Sequence, residues 1–169
     1  MKAGIFFIRV WRILSILGFL FLLFSSYVSF PENVAVRFNE LKQPVQTINR
    51  ETIFYIAVAI FLVNNTLINA IARLIQRVPT AQLLIPNQDI WAAHRPQLNG
   101  IFRNWFHALM AAINTILALA MLVLSLLNRG DRSMQPYDYA WLLPGSTFML
   151  ISVLVSLPIR LFMKPSNDE

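Results

Sequence analysis

The side chains of this chain that could do chemistry are amides and one imidazole inside two apolar stretches. Asn65 and Asn69 are four residues apart, so in a helix they share one face. His107 and Asn114, seven apart in a later stretch, also share a face. Together they could form a polar path or ligand cleft, with His107 as a titratable group. They could instead be interhelical hydrogen bonds, which contribute about 0.6–2 kcal/mol each in a membrane.

The rest of the chain offers no catalytic or metal-binding set. No Asp or Glu lies deep in an apolar stretch, although a proton or cation relay normally uses one. There is no cysteine, so thiolate metal sites and cysteine nucleophiles are excluded. No nucleophile elbow, Walker loop, dinucleotide fingerprint or HExxH motif occurs. We expect a protein that is not an enzyme, with no metal and no cofactor.

Four long apolar stretches must position the polar side chains. Of 169 residues, 57% are hydrophobic and only 13% are charged, whereas a soluble domain has about a quarter of its residues charged. A spanning helix needs about 20 mostly apolar residues, and such stretches cover about 8–30, 52–75, 102–127 and 139–162. They predict an all-α fold, a four-helix transmembrane bundle forming one domain over residues 1–169. The first stretch exceeds a typical signal-peptide core, so we expect a retained anchor.

The distribution of positive charge predicts the orientation of the bundle. Four spans place both termini on one side, which carries nine of the 14 Lys and Arg residues. Cytoplasmic loops hold the excess of Lys and Arg, so the N- and C-termini and the loop at about 76–101 are expected to be cytoplasmic. This topology fits a multi-pass protein of the bacterial cytoplasmic (inner) membrane, with the lipid bilayer as a partner. The net charge of +6 is not gathered in one block, so it does not predict nucleic-acid binding.

Two loops hold further candidate residues. In "PENVAVRF" the residue types alternate with a period of two, which predicts a short extended segment on the outer membrane surface. Thr47 or Asn49 is expected to cap the helix that follows. The predicted cytoplasmic loop "VPTAQLLIPNQDIW" is flanked by arginines, and it could lie on an anionic leaflet or dock to a partner. The candidate interaction residues are Arg37, Phe38, Asn39 and Lys42 in the outer loop and Asn87, Asp89 and Trp91 in the cytoplasmic loop.

Both loops resemble segments of a bacterial membrane domain of unknown function that occurs in toxin-immunity and signalling membrane proteins. "FPENVAVRFNELKQP" is similar to its outer-loop pattern of Leu-Pro, a short extended stretch, His-Phe-Asn, Gly and Pro-Asp. The matching residues are Pro31, Phe38, Asn39 and Pro44, whereas Arg37, Lys42 and Val45 replace the usual His, Gly and Asp. "IPNQDIWAAHRPQL" resembles a second segment at Pro86, Asn87, Asp89 and Trp91. The resemblance implies a multi-helix inner-membrane protein and supplies no reaction.

These observations predict a non-enzymatic integral membrane protein that acts through protein or lipid contacts, as an immunity, signalling or accessory subunit. Its partner would be another membrane protein or a second copy of itself. The alternative is a small transporter or channel that uses the polar face between spans two and three. The two interpretations make opposite predictions for solute flux.

Overall fold

The computed structural model describes residues 2–39, 41, 43–128, 139–163 and 165 of the chain. It contains five α-helices: α1 (Lys2–Ser29), α2 (Arg50–Arg77), α3 (Gln88–Ala93), α4 (Arg95–Leu127) and α5 (Leu142–Phe162). Between α1 and α2 lie two strands, β1 (Asn33–Phe38) and β2 (Pro44–Asn49). All helices except the short α3 are long and apolar enough to cross a membrane. The predicted four-helix bundle is therefore confirmed, and the chain is an integral membrane protein.

The bundle has two distinct ends, which the positions of the short elements define. At the hairpin end, α1 and α4 terminate and α2 begins, next to β1 and β2. At the α3 end, α2 and α5 terminate and α1 and α4 begin, next to α3. α4 starts at Arg95, seven residues before the predicted start of the third span, with Pro96 in its first turn. Proline is well tolerated there because the first amides of a helix have no intrahelical partner.

α4 is the central helix of the bundle, and α1, α2 and α5 each pack against it. The α1–α4 seam is the most extensive contact between helices, and it contains small side chains on both helices, such as Ser15, Ser26, Ala111 and Ala118. Small residues let transmembrane helices approach closely. Within this seam the Ser26 hydroxyl donates to the Met121 carbonyl at 3.2 Å.

Among the described residues, the core forms three apolar clusters along the bundle. At the hairpin end, Phe19 and Leu23 pack with Val34 of β1 and Met121 of α4, and the Phe19 ring stacks on Phe61 with centroids 4.6 Å apart. The cluster at the α3 end joins α2, α3, α4 and α5 through Ala72, Trp91, Leu98, Phe102, Phe106 and Leu161. In the third cluster, Ala108 and Ala112 of α4 pack with Val153 of α5.

Arg95 closes the α3 end of α2. Its guanidinium Nη2 donates to the carbonyls of Gln76 at 3.0 Å and Val78 at 2.6 Å, while Nη1 donates to the Thr80 hydroxyl at 2.9 Å. The last carbonyls of any helix lack intrahelical donors, and a cation also complements the negative end of the helix dipole. One side chain thus joins the end of α2, the following turn and the start of α4.

Candidate functional site

An amide cluster connects α2 to α4 in the middle of the bundle. Asn114 is fully buried, and its Oδ1 accepts from Asn64 Nδ2 at 2.9 Å and Asn65 Nδ2 at 3.1 Å. Asn114 Nδ2 donates back to Asn65 Oδ1 at 3.3 Å. Asn64 also donates to the Met110 carbonyl at 3.3 Å. The cluster therefore uses its donors to hold two helices together.

Asn64 was not among the predicted site residues, although it is the most buried amide of α2. It shares its buried stripe with Ile53, Ala57 and Ala72. This pattern of small and apolar residues was the available sequence signal, since it marks the face of α2 that packs against another helix. Asn65, which the sequence did single out, lies one residue further around the helix and is half-buried.

The structure separates the other two members of the predicted polar face. Among the described residues, Asn69 donates only to the Asn65 carbonyl of its own helix, at 2.7 Å. The His107 ring lies among the cations Arg9, Arg12 and Arg103, which act on it electrostatically. Within the described residues, His107 makes no hydrogen bond to the amide cluster. The four predicted residues thus divide into an α2–α4 pair, a residue bonded within its own helix, and a group on the α1 side.

A shallow groove of about 500 Å³ runs along α2 beside the amide cluster. Asn65, Asn69, Arg73 and Arg77 line it at spacings of four residues, and every lining residue belongs to α2. The groove is therefore an open face of one helix rather than a path between two. In the part of the chain that the structure describes, no group of three His, Asp or Glu side chains is placed to hold a metal ion.

The predicted outer loop is a β-hairpin. β1 and β2 pair antiparallel, with Val34 opposite Ile48 and Phe38 opposite Pro44, and an irregularity lies between Ala35 and Phe38. Asn39 closes the turn, since its Oδ1 accepts from the Gln43 backbone amide at 2.8 Å. Arg37 is exposed and Phe38 is half-buried, whereas Lys42 lies outside the described residues. The sequence predicted the extended β1 but not its partner strand.

Asn128, at the end of α4, fastens the hairpin to the bundle. Its Oδ1 accepts from the Ala35 amide at 2.8 Å, and its Nδ2 donates to the Ala35 carbonyl at 3.0 Å. The same Nδ2 donates to the Leu124 carbonyl at 2.9 Å, in the last turn of α4. The side chain therefore pairs with β1 as a neighbouring strand would, and the hairpin is held in one position on the bundle.

We expect Asn128→Ala to loosen the hairpin. Two of the lost hydrogen bonds join separate elements, and losses of this kind cost about 0.5–1.5 kcal/mol each. Hydrogen–deuterium exchange of peptides covering residues 33–49 should accelerate about 5- to 150-fold, with little change in α2. Asn33→Ala is the matched control, because the Asn33 side chain makes no hydrogen bond among the described residues. Unchanged exchange in Asn128→Ala would contradict the assigned role.

The three candidate residues in the loop between α2 and α4 each have a structural role. Asn87 adopts the left-handed conformation (φ 54°, ψ 42°) just before α3, a region that asparagine tolerates better than most residues. Asp89 lies in the first turn of α3, near the positive end of the helix dipole. Trp91 is fully buried and donates from Nε1 to the Leu161 carbonyl at 3.0 Å. Asn87 and Asp89 are exposed, whereas Trp91 is not.

Comparison with known protein families found no match for this chain, and comparisons with curated proteins and with solved structures found none either.

Proposed function

We propose that the protein works by contact with a partner protein at the hairpin end, as an immunity, signalling or accessory subunit of the membrane. The proposal rests on one observation: hydrogen bonds fix the hairpin in place, and the hairpin exposes apolar side chains. Asn39 and Asn128 hold it, while Leu41 is 77% exposed and Val45 is 56% exposed. A rigid surface loses little conformational freedom on binding, which favours affinity.

The hairpin also presents an unpaired strand edge. In the described residues β2 pairs with β1 alone, and the residues of β2 are mostly exposed. Free backbone amides and carbonyls along such an edge can pair with an extended segment of another protein. Exposed Arg37 of β1, opposite Gln46 of β2, adds a positive charge to the hairpin. A partner segment that is extended, partly apolar and acidic would complement the surface.

The proposal includes an orientation, with the hairpin on the outer side of a bacterial cytoplasmic membrane. Support comes from the excess of Lys and Arg in the segments at the α3 end. The resemblance of both loops to a membrane domain found in immunity and signalling proteins supports the same assignment. The Asn64, Asn65 and Asn114 contacts favour a contact role over the transport alternative, because those amides are bonded to one another.

A single-cysteine experiment tests both the partner and the orientation, since the chain has no cysteine of its own. In intact cells, Leu41→Cys should react with a membrane-impermeant maleimide, whereas Leu84→Cys should react only after permeabilisation. Leu84 is the matched control, because it is a fully exposed leucine in the loop at the α3 end. The reversed labelling pattern would overturn the orientation.

The same cysteine reports on the partner. A photocrosslinker attached to Leu41→Cys should yield one adduct of defined mass, identified by mass spectrometry. Adding Val45→Asp should reduce its yield about tenfold, because an unpaired charge would replace an apolar contact. A crosslinker at Leu84→Cys should not capture the same protein. Absence of any discrete adduct at Leu41→Cys, in cells where the labelled protein is folded, would contradict the contact role.

A further inference from the structure

A cleft of about 650 Å³ opens near the α3 end, between α1, α4 and α5. Its α4 wall follows helical spacing, with Gly100, Ile101, Asn104 and Ala108 on one stripe. Clefts between the helices of a bundle, at about 300–1,000 Å³, are a common form of binding site for small molecules. The cleft shares no residue with the hairpin surface, so an inference about it does not depend on the proposed partner.

The chemistry of the cleft is amphipathic. Ile5 and Ile8 of α1, Ile101 of α4 and Leu157 of α5 give it an apolar lining. Arg103 of α4 and Arg160 of α5 bring positive charge to the same cleft. An occupant that matches both features has an apolar chain and an anionic group. Basic pockets between transmembrane helices on the cytoplasmic side of a membrane bind the head groups of anionic phospholipids in this way.

Two glycines show that the protein itself leaves this space unfilled. Gly4 and Gly100 both line the cleft, and a Cβ added at either would meet no atom within 4 Å. Glycine in transmembrane helices normally permits a neighbouring helix to approach closely, but no described neighbouring helix comes within 4 Å of a Cβ at either position. Glycine inside a helix costs about 1 kcal/mol relative to alanine. At Gly100 close packing against the described residues does not explain this cost, and the missing side chain keeps the cleft open.

The electrostatic surroundings favour an anion. Arg9 and Arg12 of α1 act on His107 together with Arg103, so several cations gather where α1 meets α4. Arg103 is exposed and makes no hydrogen bond or ion pair with a described residue. The Arg12 Nε is buried and likewise lacks a hydrogen-bond partner there. A phosphate at the rim would add negative charge to a region where cations are concentrated.

We infer that this cleft binds an anionic phospholipid of the surrounding bilayer, with the phosphate between Arg103 and Arg160 and an acyl chain along the isoleucine and leucine walls. The cleft lies between helices long and apolar enough to span a membrane, so lipid of the bilayer can reach its walls. A soluble phosphate would match the arginines and leave the apolar lining unused. The phospholipid accounts for both parts of the cleft and for the open space beside Gly100.

Native mass spectrometry of the delipidated full-length protein tests this inference, with phosphatidylglycerol and phosphatidylcholine as probes. The wild type should retain phosphatidylglycerol at least about fivefold more strongly than phosphatidylcholine, since one basic side chain near a phosphate contributes about 1 kcal/mol. Arg103→Gln should lower this preference about fivefold. Equal retention of the two lipids by the wild type would overturn the inference.

A second experiment fills the cleft with a larger side chain. Gly100→Leu should weaken phosphatidylglycerol binding at least about tenfold, because the new side chain would occupy the space beside Ile101. Gly18→Leu is the matched control, since Gly18 also borders open space but does not line the cleft. Gly100→Ala should bind phosphatidylglycerol with an intermediate affinity. Because a helix accepts alanine readily, this variant tests the site even if Gly100→Leu misfolds.

Competition distinguishes the lipid from a free anion. Glycerol 3-phosphate at millimolar concentration should displace little phosphatidylglycerol, because it lacks the acyl chain. Displacement as effective as that by the lipid would assign the site to a soluble phosphate and overturn the inference. Gly100→Leu binding as tightly as the wild type, with Gly18→Leu unchanged, would show that the lipid binds elsewhere on the bundle, which is also a contradiction.

Discussion

Replacing Trp91 with alanine is expected to lower the free energy of unfolding by about 3–5 kcal/mol, the usual range for loss of a large buried aromatic side chain. Trp91 has no solvent-exposed surface, and it packs with Leu98, Phe102 and Leu161. Its indole also donates to the Leu161 carbonyl, near the end of α5. The substitution therefore removes both an apolar contact and the bond from the α2–α4 loop to α5.

The measurement is equilibrium unfolding in mixed detergent micelles, followed by circular dichroism. Trp91→Phe is the control, because it keeps an apolar ring and removes the indole N–H. It should lower the free energy of unfolding by about 1–2 kcal/mol. Trp91→Ala should also increase protease cleavage within residues 78–94, since the loop would lose its anchor. A loss below about 1 kcal/mol in Trp91→Ala would mean that Trp91 does not hold the α3 end together.

The prediction for Trp91 also bears on the loop resemblance. Asn87 supplies a left-handed residue, Asp89 lies in the first turn of α3, and Trp91 enters the core. A Pro-Asn-x-Asp-x-Trp pattern can thus be explained by the folding of a short helical loop. Such a pattern indicates a local structure, and by itself it does not indicate a binding site in that loop.

The four helices could be predicted because the bilayer allows few alternatives. In lipid every backbone amide must be bonded within the segment, so a long apolar stretch becomes a helix. Local chemistry was equally informative at Asn49, whose side chain accepts from the Glu51 amide at the start of α2 as predicted. The sequence could not show that α4 is central, because each helix taken alone presents apolar side chains on all faces.

The second strand of the hairpin could not be predicted from its own sequence. β1 was visible as an alternating segment, but β2, "PVQTIN", has little apolar pattern and is mostly exposed. Its strand conformation depends on pairing with β1, which in turn is held by Asn128, 93 residues away from Ala35. Interactions between such distant residues leave no periodic signal in either segment, so only the extended β1 could be predicted and its partner strand could not.

For the polar residues, spacing alone did not show which side of each helix faces its neighbours. Adjacent residues of a helix differ by about 100° in direction, so ranking Asn64 above Asn65 required recognising the stripe of small and apolar residues that marks the packing face of α2. The structure directs Asn64 inward and leaves Asn69 bonded to its own backbone. Spacing correctly grouped Asn65 with Asn69 on one face, but it could not tell that His107 would lie among arginines of α1 and α4.

Asn114→Leu is expected to destabilise the bundle by about 2–4 kcal/mol, because three hydrogen bonds between α2 and α4 would be lost. Buried Asn64 and half-buried Asn65 would each lose a partner. Unfolding in micelles measures this loss. Asn69→Leu is the matched control: it makes the same substitution on α2, where the hydrogen bond of the Asn69 side chain to the described residues is within the helix. We expect Asn69→Leu to change stability by less than about 1 kcal/mol.

The same pair of variants separates the contact role from the transport alternative. In proteoliposomes, a channel that uses the polar face should pass a solute in the wild type and lose that flux in both Asn69→Leu and Asn114→Leu. A protein that works by contact should show no flux in any of the three, while Asn114→Leu alone is destabilised. The amides of Asn64, Asn65 and Asn114 are already bonded to one another, and a solute passing between α2 and α4 would have to break those bonds. We therefore expect the stability difference without flux, and a flux sensitive to Asn69→Leu would instead establish transport.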